Sequence, residues 1–352
     1  MLLTFENGKK TITKQEIVNL VHIPGRGQVV VSGTLVEGIG NHQSDLDVYV
    51  ICDRLNSFGD IRGCGHSMFH NPDMMHCRED HEFVRRTLDY IPGDPTHLEV
   101  EYWTFEEVEK LKEKIEARFR YVAGQADVTS SSPFTSGEEK LFHRCTVGID
   151  LNTGGPLRDQ IFTETHREMY NFLTYRCFGS FFWVFKDVLG AMQAQNEFYI
   201  VEMTRTYLIR QVVALYTISG VTNPNLRWFP AYLQRMNPRL FGDVTKQALE
   251  LLFDLPTSTD GRKDYPYRVF PVLDEIAALI RNRLDSSSVM PSCAEALDLL
   301  KEEKLARAAG NPLLVKERLF LEEFAFREGV LGGISFSHRE FIERNLDWTA
   351  GP

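Results

Sequence analysis

The sequence predicts an α/β domain followed by a mostly α-helical domain. Three observations lead there. The runs "QVVVS", "LDVYV" and "THLEVEYW" are β-branched or alternate apolar with polar residues, as strands do, and all lie in the first third of the chain. Composition then turns small and polar across "GQADVTSSSPFTSGEEK". Beyond that stretch, apolar residues recur at helical spacing. The expected divisions are an α/β domain over residues 1–125, a linker over 126–140 and a helical domain over 141–352.

The elements follow in order. Thr13 to Val21 reads as a short helix stopped near Pro24 and Gly25. Gln28 to Ser32 is a strand, and Gly33 ends it. A short helical segment fits Leu35 to Gly38, and Gly40 to Ser44 is a polar turn. Leu46, Val48 and Val50 then alternate with Asp45, Asp47 and Tyr49, a period-two strand with one apolar face. Ile61 to Glu79 is irregular and rich in histidine. Glu82 to Tyr90 fits a helix or a strand equally well. "IPGD" is a turn, "THLEVEYW" a strand, and "TFEEVEKLKEKIEARF" a helix with Thr104 and Glu107 at capping-box spacing. Helices are expected over Asp159–Thr174, Gln193–Thr217, Lys246–Leu252, Val272–Leu284, Cys293–Arg307 and Leu314–Glu328.

A chain of 352 residues, 43% apolar, can bury one large core or two moderate ones. A net charge of −10 disfavours nonspecific binding to duplex DNA, though a small basic pocket for a phosphorylated ligand is compatible with it. No stretch reaches the roughly eighteen uncharged apolar residues of a membrane span, so no membrane partner is expected. The N-terminus lacks the apolar core of a signal peptide. Six cysteines at irregular spacing fit a reducing compartment, and the cytoplasm is the expected location.

Asp45 and Asp47 carry the first chemical signal. Two apart on a strand, they share a face and can converge on one cation, while Leu46 and Val48 point into the core. Magnesium suits carboxylates combined with substrate phosphates. Upstream, a strand running into Gly33, Thr34 and a helical turn makes a backbone nest for an anion. The bland alternative is a solvent-facing strand that happens to carry two aspartates.

Gly33, Thr34 and then Asp45-Leu46-Asp47 resemble the signature of the DNA-polymerase-β-like nucleotidyltransferase superfamily. The segment "SGTLVEGIGNHQSDLDVYV" is especially similar to small bacterial nucleotidyltransferases of the antibiotic-modifying type. Thr34 stands where serine is commoner in that family. The resemblance spans about residues 15 to 120, and the helical half resembles no family closely. It implies a mixed sheet. It also implies a third acid, for which "THLEVEYW" offers Glu99, with Glu101 in reserve; aspartate is the commoner residue there.

The implied chemistry transfers a nucleoside monophosphate from a nucleoside triphosphate, ATP first among them, and releases pyrophosphate. Asp45, Asp47 and Glu99 would hold two magnesium ions, about 3.5–4 Å apart. Ser32, Gly33 and Thr34 would receive the phosphates. The expected acceptor is a small-molecule hydroxyl or phosphate. A protein or tRNA acceptor, and a noncatalytic nucleotide-binding regulator or scaffold on the same fold, are the competing readings.

Two further segments carry candidates. Cys64, His66, His70, His76, Cys77 and His81 match no zinc-finger spacing; structural zinc, contact with a substrate and no specific role all stay open. Arg227, Trp228 and Phe229 lie at a break between helices, similar to the pattern by which helical domains close a nucleotide site with a basic residue. A helix–helix corner is the bland alternative there. The aromatic run Phe172 to Phe185 fits a helical core, an acceptor pocket or a homodimer face.

Overall fold

The structure is a computed structural model of the full chain. It describes residues 2–5, 10–41, 43–57, 83–91, 96–124, 134–162, 181–223, 225–285 and 337–346. The histidine- and cysteine-rich segment 64–81, the expected helices over 293–307 and 314–328, and most of the aromatic run from Phe172 lie outside the described residues.

The described residues form an α/β unit and a helical unit, as the sequence predicts. The first unit comprises Met1–Glu116 and Phe134–His166, the second Ala117–Pro133 and Arg167–Pro352. The first opens with a hairpin, β1 (Leu2–Phe5) against β2 (Lys10–Thr13), which sequence reading did not mark. Helix α1 (Lys14–Leu20) follows, started by a reciprocal cap in which Thr13 Oγ1 accepts from the Glu16 amide and Glu16 accepts from the Thr13 amide.

The main sheet has five strands in the order β7-β8-β4-β3-β9. These are β3 (Gly27–Ser32), β4 (Leu46–Cys52), β7 (Arg86–Tyr90), β8 (His97–Thr104) and β9 (Ile149–Asp150). β4 and β8 run parallel and the other pairs antiparallel, so the sheet is mixed. A short pair, β5 (Asn56–Ser57) with β6 (Phe83–Val84), lies apart from it. The ambiguous stretch 82–90 is therefore strand, decided by pairing with β8, which no local pattern records.

One sheet face makes the core. Val29 and Val31 of β3, Leu46, Val48 and Val50 of β4, and Leu98 and Val100 of β8 are all buried in it, with Ile17 from α1. Each such side chain contributes about 1.5–3 kcal/mol when fully buried. The opposite face carries Ser32, Asp47, Tyr49, Glu99 and Glu101 by strict alternation.

Helix α2 (Phe105–Gly124) begins with the expected Thr104–Glu107 capping box, reinforced by an Arg85–Glu107 ion pair. Helix α3 (Ser136–Val147) begins inside the stretch whose composition suggested a linker, and strand β9, beyond that stretch, pairs with β3 in the first unit. The start of α3 is encoded by a second capping box, Thr135 with Glu138. A short helix α4 (Arg158–Ile161) follows.

In the second unit, α5 (Phe181–Gln193) and α10 (Thr259–Asp285) both pack against α6 (Glu197–Thr217). Shorter helices α7 (Phe229–Arg235), α8 (Pro238–Phe241) and α9 (Val244–Phe253) join them, with α11 (His338–Asn345) packed on α10. α10 starts well before the expected Val272 and runs through Pro266 and Pro271. Interior prolines cost a helix roughly 3 kcal/mol. Tyr265, Val269, Phe270, Leu273, Ile276 and Ile280, all buried, offset that cost. No described helix is long and apolar enough to cross a membrane.

Candidate functional site

The polar face of the sheet holds the candidate site. Register sets Ser32 opposite Asp47 and Asp47 beside Glu99, with Tyr49 beside Glu101 one pair further on. Adjacent strands lie about 4.8 Å apart, so Asp47 and Glu99 are direct neighbours. Asp45 precedes β4 and is exposed.

Gly33 turns the chain at the end of β3. Its φ of +88° is a region only glycine enters freely. A Cβ there would lie 1.9 Å from Asp47 Oδ2 and 2.9 Å from Arg144 Nη1. The Asp47 carboxylate and the Arg144 guanidinium thus pack against bare backbone. The following turn is closed by bonds from the Glu37 amide to the Gly33 carbonyl (3.0 Å) and from the Ile39 amide to the Thr34 carbonyl (2.9 Å). Leading amides of such a turn have no partner inside it, which is what suits a turn to anions. Thr34 is nearly buried in this turn. Ser32 is fully buried, and its hydroxyl donates to the Arg144 carbonyl at 2.9 Å, which ties α3 to the sheet.

Sequence reading missed the cations. Arg144 Nη2 lies 3.1 Å from Asp47 Oδ2. Lys140 Nζ lies 3.1 Å from Glu101 and 3.5 Å from Glu99, and Arg86 pairs with Glu99. The Trp103 indole donates to Glu101 at 2.9 Å. His143 contacts Glu37 at 3.2 Å, and Arg144 Nη1 stands 4.0 Å from the same carboxylate. Lys140, His143 and Arg144 are spaced i, i+3, i+4 and so share one face of α3. That spacing is visible in the sequence, but nothing local to it names the carboxylates these side chains meet.

These charges shift one another. Burial pushes the Asp47 carboxyl up to about 6, with Glu99 and Asp45 adding to the push and Arg144 and Lys140 opposing it. Burial opposes the charge on Arg144, but Asp47, Tyr49 and Glu37 outweigh it and raise its pKa. Burial lowers the His143 pKa, only partly offset by Glu37. The Tyr49 hydroxyl neighbours Arg144, yet neither it nor Arg144 Nε and Nη1 finds a partner in hydrogen-bond geometry.

Asp45, Asp47 and Glu99 are oxygen donors of the kind magnesium takes. Asp47 lies against the uncovered backbone of Gly33, a cradle that a Cβ would fill. Among the described residues no three His, Cys, Asp or Glu side chains gather closely enough to enclose an ion by themselves. Asp47 and Glu99 would hold an ion only with further oxygens supplied by a ligand. Arg227 stands in the second unit, exposed, its guanidinium 5.0 Å from the Trp228 ring centroid. Phe229 is buried there and stacks on Phe253.

The fold and the site together define an α/β unit with a carboxylate pair beside a glycine turn. No protein-family model and no curated protein matches the sequence. Among solved structures, the chain is similar to a nucleotidyltransferase-like protein from Exiguobacterium sibiricum 255-15. The two share 12% identity and a TM-score of 0.37, over 93% of this chain and 90% of that one.

Proposed function

We propose that the chain is a nucleotidyltransferase that moves a nucleoside monophosphate from a nucleoside triphosphate to a small-molecule hydroxyl or phosphate. The observation that carries this reading is the in-register pair Asp47–Glu99 on parallel strands, set against the Gly33 turn. The turn amides and Thr34 hold the β- and γ-phosphates. Asp45 and Asp47 would hold magnesium, and Glu99 would complete the carboxylate set. Bound magnesium would neutralise charge on the entering and leaving oxygens. Glu99 takes the acceptor proton as the acceptor oxygen bonds to the α-phosphorus. The bond from the α-phosphorus to the bridging oxygen breaks, and pyrophosphate leaves with that oxygen.

A specific observation favours a second reading. Arg86, Lys140 and Arg144 already pair with Glu99, Glu101 and Asp47, an arrangement that also suits a protein that binds a nucleotide without transferring it. Titration calorimetry with ATP, GTP, CTP and UTP, with magnesium, tests the shared step. Binding that disappears in the Asp45→Ala/Asp47→Ala double variant supports a nucleotide site here. Pyrophosphate release across an acceptor panel then separates transfer from binding alone. No binding of any nucleotide by the wild-type chain overturns both readings.

A further inference from the structure

We propose that Lys140 and Arg144 are exchangeable counter-ions, which leave the site carboxylates for the triphosphate and so make metal and nucleotide bind only together. This rests on the nucleotide-site reading above. Arg144 Nη2 occupies Asp47 Oδ2 at 3.1 Å. A carboxylate so engaged presents fewer lone pairs to a metal ion, and a metal arriving alone must draw the guanidinium off its nearest carboxylate. A buried unpaired guanidinium is strongly unfavourable. A triphosphate supplies the missing acceptor.

The geometry suits that exchange. Arg144 Nη1 would lie 2.9 Å from a Cβ on Gly33, so the guanidinium already sits over the turn that receives phosphate. Its Nε and Nη1 have no partner in hydrogen-bond geometry among the described residues; Nη1, the atom nearest the turn, has only Glu37, at 4.0 Å. A guanidinium spends such donors well on phosphate, often two at a time. Lys140, one helical turn earlier, divides its charge between Glu99 and Glu101 and is 31% exposed, so its flexible stem can swing. Arg86 differs: it sits on β7, the strand beside β8, and pairs with Glu99 across that ladder, which suits a fixed partner. Glu37, the other carboxylate near Arg144, stands 4.0 Å from its Nη1 and is already engaged with His143 at 3.2 Å.

The test uses manganese(II) as the metal probe, with free ion read by electron paramagnetic resonance, with and without ATP. Wild-type protein should bind manganese at least tenfold more tightly with ATP than without. In Arg144→Gln and in Lys140→Gln, binding of manganese alone should tighten about tenfold, ATP binding should weaken about tenfold, and the coupling should shrink. Lys140 is part-exposed, so its variant keeps the test decisive if Arg144→Gln fails to fold. Folded variants with unchanged coupling would overturn the exchange while leaving the nucleotide site standing. A wild-type chain that binds neither manganese nor ATP would overturn both.

Discussion

Gly33→Ala isolates the close approach on which the site depends. Two costs add. At φ +88° an alanine is strained by about 1–2 kcal/mol. Its Cβ would also fall 1.9 Å from Asp47 Oδ2 and 2.8 Å from Asp47 Cγ. The carboxylate cannot swing aside freely, because Arg144 holds it at 3.1 Å. Overpacking of this kind costs about 1–3 kcal/mol, for a combined loss near 2–5 kcal/mol. Gly25→Ala is the matched control: its φ is +82°, but its Cβ would meet the end of the Asp53 side chain at 3.1 Å, on the surface. It should cost the backbone strain alone. Gly190→Ala, at an exposed position of helix α5 with no atom within 4 Å, should gain stability, by about 0.5–1 kcal/mol. Urea unfolding of the three variants, compared at constant m, measures all of this. If Gly33→Ala loses no more than Gly25→Ala, Asp47 does not lie against that backbone and the site geometry is wrong.

Two other outcomes follow from buried polar groups. Burial holds the His143 pKa below its ordinary 6.5. As pH falls below 6.5, the unfolded chain takes up a proton that the folded imidazole resists, so stability drops; above 6.5 the group contributes no slope. His143→Gln should therefore lose less melting temperature than wild type between pH 7 and pH 5, and an equal loss would show the imidazole charges freely. In the helical unit, the Tyr207 hydroxyl contacts His338 Nε2 at 2.9 Å, and His338 Nδ1 contacts Asp274 at 2.5 Å. Tyr207→Phe should cost about 1 kcal/mol in thermal unfolding; a neutral result would mean that this contact does not hold α11.

The fold was legible where periodicity alone decides structure. Alternation along Leu46 to Val50 sorted a core face from a polar face, and the structure keeps that sorting residue by residue. The Thr104–Glu107 cap was legible because its whole chemistry lies within four residues. Strand β7 was not, because β8 decides its state. Helix α10 was not, because proline punctuates a sequence even where tertiary burial overrides it. Spacing marked Asp45 and Asp47 as a pair, and the family resemblance, not spacing, put Glu99 ahead of Glu101. Their cations were not singled out: Arg86 and Arg144 come from a strand and a helix far apart in sequence, and only the fold brings them to these carboxylates. Arg227 lies in the second unit, the helical half where the sequence reading put it, its guanidinium 5.0 Å from the Trp228 ring centroid.

The cost of the acid face says why it is worth having. Like charges side by side on neighbouring strands destabilise a sheet, and apolar residues at such positions often serve stability as well as a buried ion pair does. Here Asp47 sits beside Glu99, with Glu101 one pair on, and three cations answer them. The compensation is incomplete. Even with Arg144 at 3.1 Å, burial still pushes the Asp47 carboxyl up to about 6. Arg144, for its part, has Nε and Nη1 without a partner in hydrogen-bond geometry, Glu37 standing 4.0 Å from Nη1. A carboxylate short of positive charge and a guanidinium short of an acceptor, packed over one glycine, are each relieved by a ligand that carries both a cation and phosphate oxygens. A ligand of one sign relieves only one of them. The metal–nucleotide complex proposed above as the ligand would carry both signs, whereas a bare ion or a bare nucleotide would carry one.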